Sequence, residues 1–331
     1  MKLAVLGAGA WGTALAISLS QKHAVTLWAR NHAHVLQLLT AHRNERYLPG
    51  VVIPASIKIE SDLGSALAGA ELCVIATSTS GLAATAASIN AHVPGLPIIW
   101  VCKGFDQLTG KLPHETVDAT RGSTPSGQYG ALSGPSFALE VAQGLPCALT
   151  LAANDLHFAH EMTAQLNGPA LRIYSSDDLV GVELGGALKN VMAIAAGICD
   201  GMQLGMNARA ALITRGLAEI GRLGVAMGGK PETFMGLTGL GDLVLTATGD
   251  LSRNRSVGVH LAQGMRLDAI LASLGHVAEG VNSAQTALAL AKKHSIDMPI
   301  TEAVNAVLFA RADPRETVKR LLSRDAKAES A

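Results

Sequence analysis

Apolar and polar positions follow two different rhythms along the chain. In the first half, short apolar runs rich in β-branched residues are separated by longer stretches with helical spacing. They predict strands over Leu3 to Leu6, Ala24 to Ala29, Lys58 to Glu60, Leu72 to Ala76, Ile98 to Lys103, Tyr129 to Ser133, Cys147 to Leu151 and Leu171 to Tyr174. A helix is expected from Thr13 to Gln21. Strand and helix in alternation give a doubly wound sheet. From about Asp177 the strand-like runs stop, and Ala, Leu, Gly and Met recur at helical spacing, as in Asn207 to Val225 and Ser283 to His294. The pattern therefore divides into an α/β domain over 1–180 and an all-helical domain over 181–331, with a loose tail after Ser323.

The first strand runs into Gly7-Ala8-Gly9-Ala10-Trp11-Gly12, glycines at the G-x-G-x-x-G spacing. Gly7 permits a tight turn, Gly9 lets backbone approach a pyrophosphate, and Gly12 lets helix pack on strand. The following helix then turns its N-terminal amides to the phosphates. The spacing alone is weak in a chain with 35 glycines, but here a strand precedes it and a helix and second strand follow. A dinucleotide is the expected ligand. A secretory signal fits poorly, since glycines and Trp11 interrupt the apolar run. The second strand ends at Arg30, where many NAD-binding folds carry an acidic side chain for the ribose hydroxyls. An arginine can pair with a 2′-phosphate, so NADP is preferred over NAD, with Asn31 and His32 as helpers. The alternative is a solvated arginine at a strand end.

Composition narrows the partners. With 26 acidic and 26 basic residues and 3% aromatics, the chain has neither the charge nor the stacking surface for nucleic acid. No run of about 18 apolar residues escapes charge or helix-breaking punctuation, so no membrane span is expected. The four cysteines form no C-x-x-C pair, which speaks against disulfides and metal. Together these point to a cytoplasmic protein.

Two clusters in the second half carry chemistry. Gly181 to Val191 is a mostly apolar helical stretch holding Lys189, with Gly185 and Gly186 one turn earlier. Burying an ammonium is costly unless it is paired or used. The glycines cost helix stability and favour use over a lysine that merely snorkels to solvent. Met235 to Leu243, with Gly236, Gly239 and Gly241, reads as a loop of unusual backbone angles presenting Asp242. Next, Ser252 reads as a helix N-cap, with Arg253 and Asn254 forming an anion site. Separately, Ser252 could be only a cap and Arg253 only a surface charge.

Taken together, the segments Gly7 to Ala16, Arg46-Tyr47-Leu48-Pro49-Gly50, Lys103-Gly104, Leu132 to Ala138, Val182 to Asn190, Asn207 to Ala211, Gly239 to Leu243 and Ser252 to Arg255 give the chain a resemblance. It resembles the bacterial-type NAD(P)-dependent glycerol-3-phosphate dehydrogenases over almost its whole length. The resemblance implies a Rossmann-type first domain, a helical second domain, and reversible reduction of dihydroxyacetone phosphate to sn-glycerol 3-phosphate for glycerophospholipid synthesis. Position by position, it makes Lys189 the proton donor or acceptor. It places substrate contacts at Lys103, Gly134, Ser136, Lys189, Asp242, Ser252, Arg253 and Asn254. Cofactor contacts fall at Gly7, Gly9, Ala10, Trp11, Gly12, Arg30, Lys103, Ala138, Arg253, Val277 and Glu279. Ala10 stands where many members have Ser, Phe105-Asp106 replaces an aliphatic residue and Glu, and Ala76 to Thr79 replaces a proline-containing stretch. Two-domain hydroxy-acid or ketopantoate dehydrogenases, and a sensor that binds NADPH without turnover, remain rival readings. Apolar stretches at Met192 to Met202 and Ala210 to Ile220 allow a homodimer, with burial in the core of the chain itself as the equal alternative.

Overall fold

A computed structural model describes residues 1–121, 127–274 and 278–323. Val277 and the tail beyond Ser323 lie outside the described residues.

The strands are β1 (Lys2–Leu6), β2 (Ala24–Trp28), β3 (Arg43–Asn44), β4 (Leu48–Val52), β5 (Lys58–Glu60), β6 (Leu72–Ile75), β7 (Ile98–Trp100), β8 (Tyr129–Ser133), β9 (Cys147–Ala153) and β10 (Leu171–Ser176). Eight of them form one sheet in the order β10-β9-β8-β7-β6-β1-β2-β5. Pairing is parallel from β5 through β8, and β9 returns antiparallel to β8 before β10 joins it in parallel. The sheet is thus mixed at one end, because the short Ala138–Ala142 helix turns the chain back instead of carrying it across the sheet. Along β1, Leu3 and Val5 join one buried cluster and Ala4 and Leu6 another, so both faces are covered. The chain reverses its direction of travel across the sheet between β1 and β6, the place where doubly wound sheets open a ligand crevice. The glycine-rich turn stands at that point.

The sequence pattern missed the small β3–β4 pair, which is too short and too polar for a period-2 signal. It also carried the seventh strand on to Lys103, whereas β7 stops at Trp100. Val101 still bonds back to Ile75, and Gly104, at φ +136°, then turns the backbone away.

From Leu179 onward the described residues are helical. The 23-residue Leu179–Gly201 helix is the axis of this half, and Val182 through Cys199 are all buried. It matches a membrane span in length and has a mean hydropathy of 1.4, yet 89% of that window is buried inside the fold. Its apolar surface is core, so the Met192 to Met202 stretch leaves no surplus for a partner. Glu183 ties this helix to the sheet, accepting from Trp100 Nε1 at 3.1 Å and from the His114 amide at 2.9 Å. The Arg253–Ala262 helix crosses it backbone to backbone: a Cβ on Gly197 would sit 1.9 Å from the Arg255 carbonyl oxygen, and one on Gly258 2.0 Å from that of Ile194. Such contact fixes the Ser252 corner relative to Lys189.

Candidate active site

The Lys189 side chain leaves the central helix and meets the first turn of the Asp242–Thr248 helix. Its Nζ donates to Asp242 Oδ1 at 2.6 Å and to Thr246 Oγ1 at 2.8 Å. The other oxygen of the carboxylate, Oδ2, accepts from Lys103 Nζ at 2.6 Å, and Lys103 also donates to the Gly134 carbonyl at 3.1 Å. Lys189 is 7% exposed and Asp242 1%. One buried carboxylate therefore holds two ammonium groups. An ammonium has three N–H donors, so among the described residues each lysine keeps one for another acceptor.

The electrostatics follow from this burial. Removal from water pushes the Lys189 ammonium down from 10.5 to about 8; Asp242 opposes the shift and Lys103 adds to it. Burial acts against the Asp242 carboxylate too, but Lys103 and Lys189 outweigh it and hold that group below its ordinary value. Burial raises the Glu279 carboxyl, while Arg253, Lys103 and Lys189 pull it the other way. These three cations thus face the same carboxyl.

The glycines before Lys189 are explained by contact. A Cβ on Gly185 would lie 2.8 Å from the Thr238 carbonyl oxygen, and one on Gly186 2.9 Å from Ser133 Oγ. The Met235 to Leu243 stretch differs from its expectation. It is no loop: Leu237–Gly241 forms a π-helical turn leading directly into the Asp242–Thr248 helix, and none of its residues has a positive φ. Its Gly239 serves close packing instead, since a Cβ there would sit 2.0 Å from the Phe234 carbonyl oxygen.

Ser252 does cap the Arg253–Ala262 helix, its side chain accepting from the Arg255 amide at 3.2 Å. Arg253 is exposed at the first helical position. Asn254 is buried, donating to Asn190 Oδ1 at 2.9 Å and accepting from the Gly280 amide at 3.0 Å. Arg255 turns elsewhere, to Asp200 and Asp250. Ser136 donates to the Gly134 carbonyl at 3.0 Å, on the turn where Gly134 takes φ +141°.

On the sheet side, Gly7 adopts φ +123°, and the Ala10–Leu19 helix starts immediately after Gly9, with no acidic residue in its first turn. A Cβ on Gly9 would meet nothing within 4 Å, whereas one on Gly12 would collide with the Gly7 carbonyl at 1.9 Å. The helix start is therefore closed on its inner side and open at Gly9, where backbone can approach a pyrophosphate. Ala10, Trp11 and Ala138 all pack against the buried cluster of Ala14, Leu48 and Val141 beside it. Arg30 is exposed at the end of β2 with no ion pair among the described residues. Its expected helpers are engaged otherwise: Asn31 caps the next helix by accepting from His34, and His32 Nδ1 meets Ser61 Oγ at 3.0 Å. In the departing Ala76 to Thr79 stretch, Thr79 donates to the Lys103 carbonyl at 3.4 Å.

Two partners of the site escaped the sequence reading. Thr246 was hidden because a single threonine four residues after Asp242 carries no pattern of its own, although i, i+4 spacing on a helix could have pointed to it. Asn190 was inside the quoted helical stretch but had no visible partner. A glycine-rich turn at a sheet switch point, joined to a helical second half that carries a buried lysine held by a buried carboxylate, defines a two-domain nicotinamide-dependent dehydrogenase.

Comparison with known proteins narrows that class. The model of the NAD-dependent glycerol-3-phosphate dehydrogenase N-terminus matches residues 2–159, and that of the C-terminus residues 178–319. The chain belongs to this family. A glycerol-3-phosphate dehydrogenase [NAD(P)+] of Ralstonia nicotianae is 56% identical over 100% of this chain and 99% of its own length. That of Aromatoleum aromaticum is 54% identical, over 99% and 100%. The crystal structure of glycerol-3-phosphate dehydrogenase from Coxiella burnetii superposes with a TM-score of 0.92 at 41% identity, over 98% of this chain and 99% of that one. A probable 2-dehydropantoate 2-reductase from Bacillus subtilis reaches only 0.56 at 16% identity, over 94% and 100%, a likeness of fold.

Proposed function

We propose that this chain is an NAD(P)-dependent glycerol-3-phosphate dehydrogenase whose Lys189 exchanges the proton between enzyme and substrate oxygen. It reduces dihydroxyacetone phosphate reversibly to sn-glycerol 3-phosphate, supplying glycerophospholipid synthesis. The observation that carries the proposal is the third N–H of Lys189, unclaimed among the described residues, on an ammonium whose pKa is lowered to about 8 and which is steadied by Asp242 and Thr246.

When bound, a nicotinamide dinucleotide supplies or accepts the hydride at C2 of the substrate. The residues that would hold it are Gly7, Gly9, Ala10, Trp11 and Gly12 at the pyrophosphate, Arg30 at a 2′-phosphate, and Ala138 and Glu279 nearer the reacting end. Everything else is the work of side chains. In reduction, Lys189 donates its proton to the ketone oxygen as negative charge builds there, and Lys103 adds positive potential on the same side. In oxidation, neutral Lys189 takes the hydroxyl proton. Asp242 orients both lysines without exchanging protons itself, since its pKa is depressed. Arg253, the Ser252 hydroxyl, Asn254 and the open amides of the Arg253–Ala262 helix bind the phosphate, while Gly134 and Ser136 shape the turn beside it.

We place the division between domains at the start of the Leu179–Gly201 helix, two residues ahead of the 180/181 boundary read from the sequence pattern, and the protein in the cytoplasm, where its phosphorylated substrate and coenzyme circulate. We assign the partly exposed Gly205–Ala226 helix, which carries the Ala210 to Ile220 stretch, to a homodimer contact. NADP is preferred over NAD through Arg30. The test is loss of NADPH absorbance when dihydroxyacetone phosphate is added to the purified protein, with NADH and Arg30→Ala in parallel. Oxidation of NADPH ahead of NADH, with the difference abolished in Arg30→Ala, supports the reading. Silence with both coenzymes refutes it, and would favour a hydroxy-acid substrate or a sensor.

A further inference from the structure

The Arg46 to Gly50 segment has no role in the mechanism above, yet the β3–β4 pair that frames it is locked against the dinucleotide turn. Leu48, 3% exposed, is buried with Ala14 of the first helix and with Val141. Asn44, 1% exposed, sends its Nδ2 to the Ala8 carbonyl at 2.9 Å and to Thr13 Oγ1 at 2.7 Å. His34 approaches the same carbonyl through Nε2 at 3.3 Å. A carbonyl only accepts, so both side chains must present N–H groups to it, which fixes the amide orientation of Asn44 and puts a proton on His34 Nε2.

The consequence follows from the geometry of one peptide unit. No peptide bond among the described residues is cis, and the Ala8–Gly9 unit is a plane in which C=O and N–H point in opposite directions. Two donors holding the Ala8 oxygen inward therefore turn the Gly9 N–H outward. No backbone acceptor takes that N–H among the described residues, and a Cβ added at Gly9 would also meet nothing within 4 Å. We infer that Asn44, assisted by His34, is a positioning residue that aims the Gly9 amide at the cofactor pyrophosphate. It touches neither the substrate nor the reacting atoms. The inference rests on the dinucleotide reading of the turn, and it locates part of the affinity for the cofactor in a strand remote from the glycines in sequence. Without Asn44 the Ala8–Gly9 plane is free to rotate, and the cofactor has to order it on binding.

The experiment is titration of the full-length protein with NADPH, followed by nucleotide fluorescence, on wild type, Asn44→Leu, His34→Leu and Thr13→Val. Asn44→Leu keeps the branched shape of the side chain but removes both donations. It is expected to raise the Kd for NADPH about tenfold, roughly 1.4 kcal/mol. At saturating NADPH, kcat and the KM for dihydroxyacetone phosphate should stay within about twofold of wild type, since the lysine site is untouched. Thr13→Val, which leaves the bond to Ala8 intact, should bind NADPH like wild type. His34→Leu should weaken binding by about threefold, and it carries the same test if Asn44→Leu fails to fold. A folded Asn44→Leu or His34→Leu protein with unchanged Kd overturns the inference, as does a loss confined to kcat. Wild-type protein that binds no NADPH would instead overturn the dinucleotide reading itself.

Discussion

Replacing Lys189 with methionine should stabilise the protein. The ammonium titrates near 8 in the fold against 10.5 for a solvated lysine, chiefly because it is buried. At about 1.36 kcal/mol per pKa unit, the charged form is disfavoured by on the order of 3 kcal/mol relative to the unfolded chain, an upper value at pH 7. Methionine is close in length and carries no charge to desolvate, but Asp242 and Thr246 each lose a donor, which removes about 1 kcal/mol of that gain or somewhat more. A net stabilisation of about 2 kcal/mol at pH 7 remains. The sign has a pH signature. Between about pH 8 and 10.5 the unfolded chain binds more protons at this position than the folded one, so wild-type stability gains from rising pH there, and Lys189→Met lacks that gain. Urea unfolding of both proteins at pH 7 and at pH 9.5 measures it, with the difference between them isolating this lysine from other titrating groups. The advantage of Lys189→Met should shrink markedly at the higher pH. A variant less stable than wild type at pH 7, or a difference that does not change with pH, would refute the reasoning.

The same ammonium predicts opposite pH limbs for the two reaction directions: turnover in reduction should fall, and in oxidation rise, as pH passes about 8, which steady-state rates in both directions would show. Arg253→Ala should raise the KM for dihydroxyacetone phosphate by about tenfold or more with a smaller change in kcat, and an unchanged KM would remove Arg253 from the phosphate site. Gly186→Val would force a branched side chain toward Ser133 Oγ, 2.9 Å from the Cβ position, and should cost about 1–3 kcal/mol in urea unfolding together with most of the activity.

Much of the fold was legible because its signals are local. The opening strand, the G-x-G-x-x-G turn and the switch from period 2 to helical spacing near Asp177 each sit within a dozen residues, and the strands fall close to where the alternation put them. What failed did so for physical reasons. Gly236, Gly239 and Gly241 suggested a loop, since glycine is the usual residue for positive φ, but here the segment is a helical turn in which the missing side chain of Gly239 makes room for Phe234. The apolar excess of the long central helix left a dimer surface and a buried core equally open, because burial depends on what packs against it, and the fold consumes it inside. In the site, Lys189 stood out as a charge in an apolar stretch, while Thr246 and Asn190 gained meaning only from partners 57 and 64 residues away. Asn44 was still less visible, since two-residue β3 carries no periodic signal.

The most direct test of the central claim is turnover and cofactor binding measured on the same Lys189→Ala preparation. Proton transfer from Lys189 predicts that reduction of dihydroxyacetone phosphate by NADPH falls by roughly 10²–10⁴-fold while the Kd for NADPH stays within about twofold. A variant that keeps more than about a tenth of wild-type turnover would contradict the account, because general acid catalysis by this lysine contributes at least roughly 10².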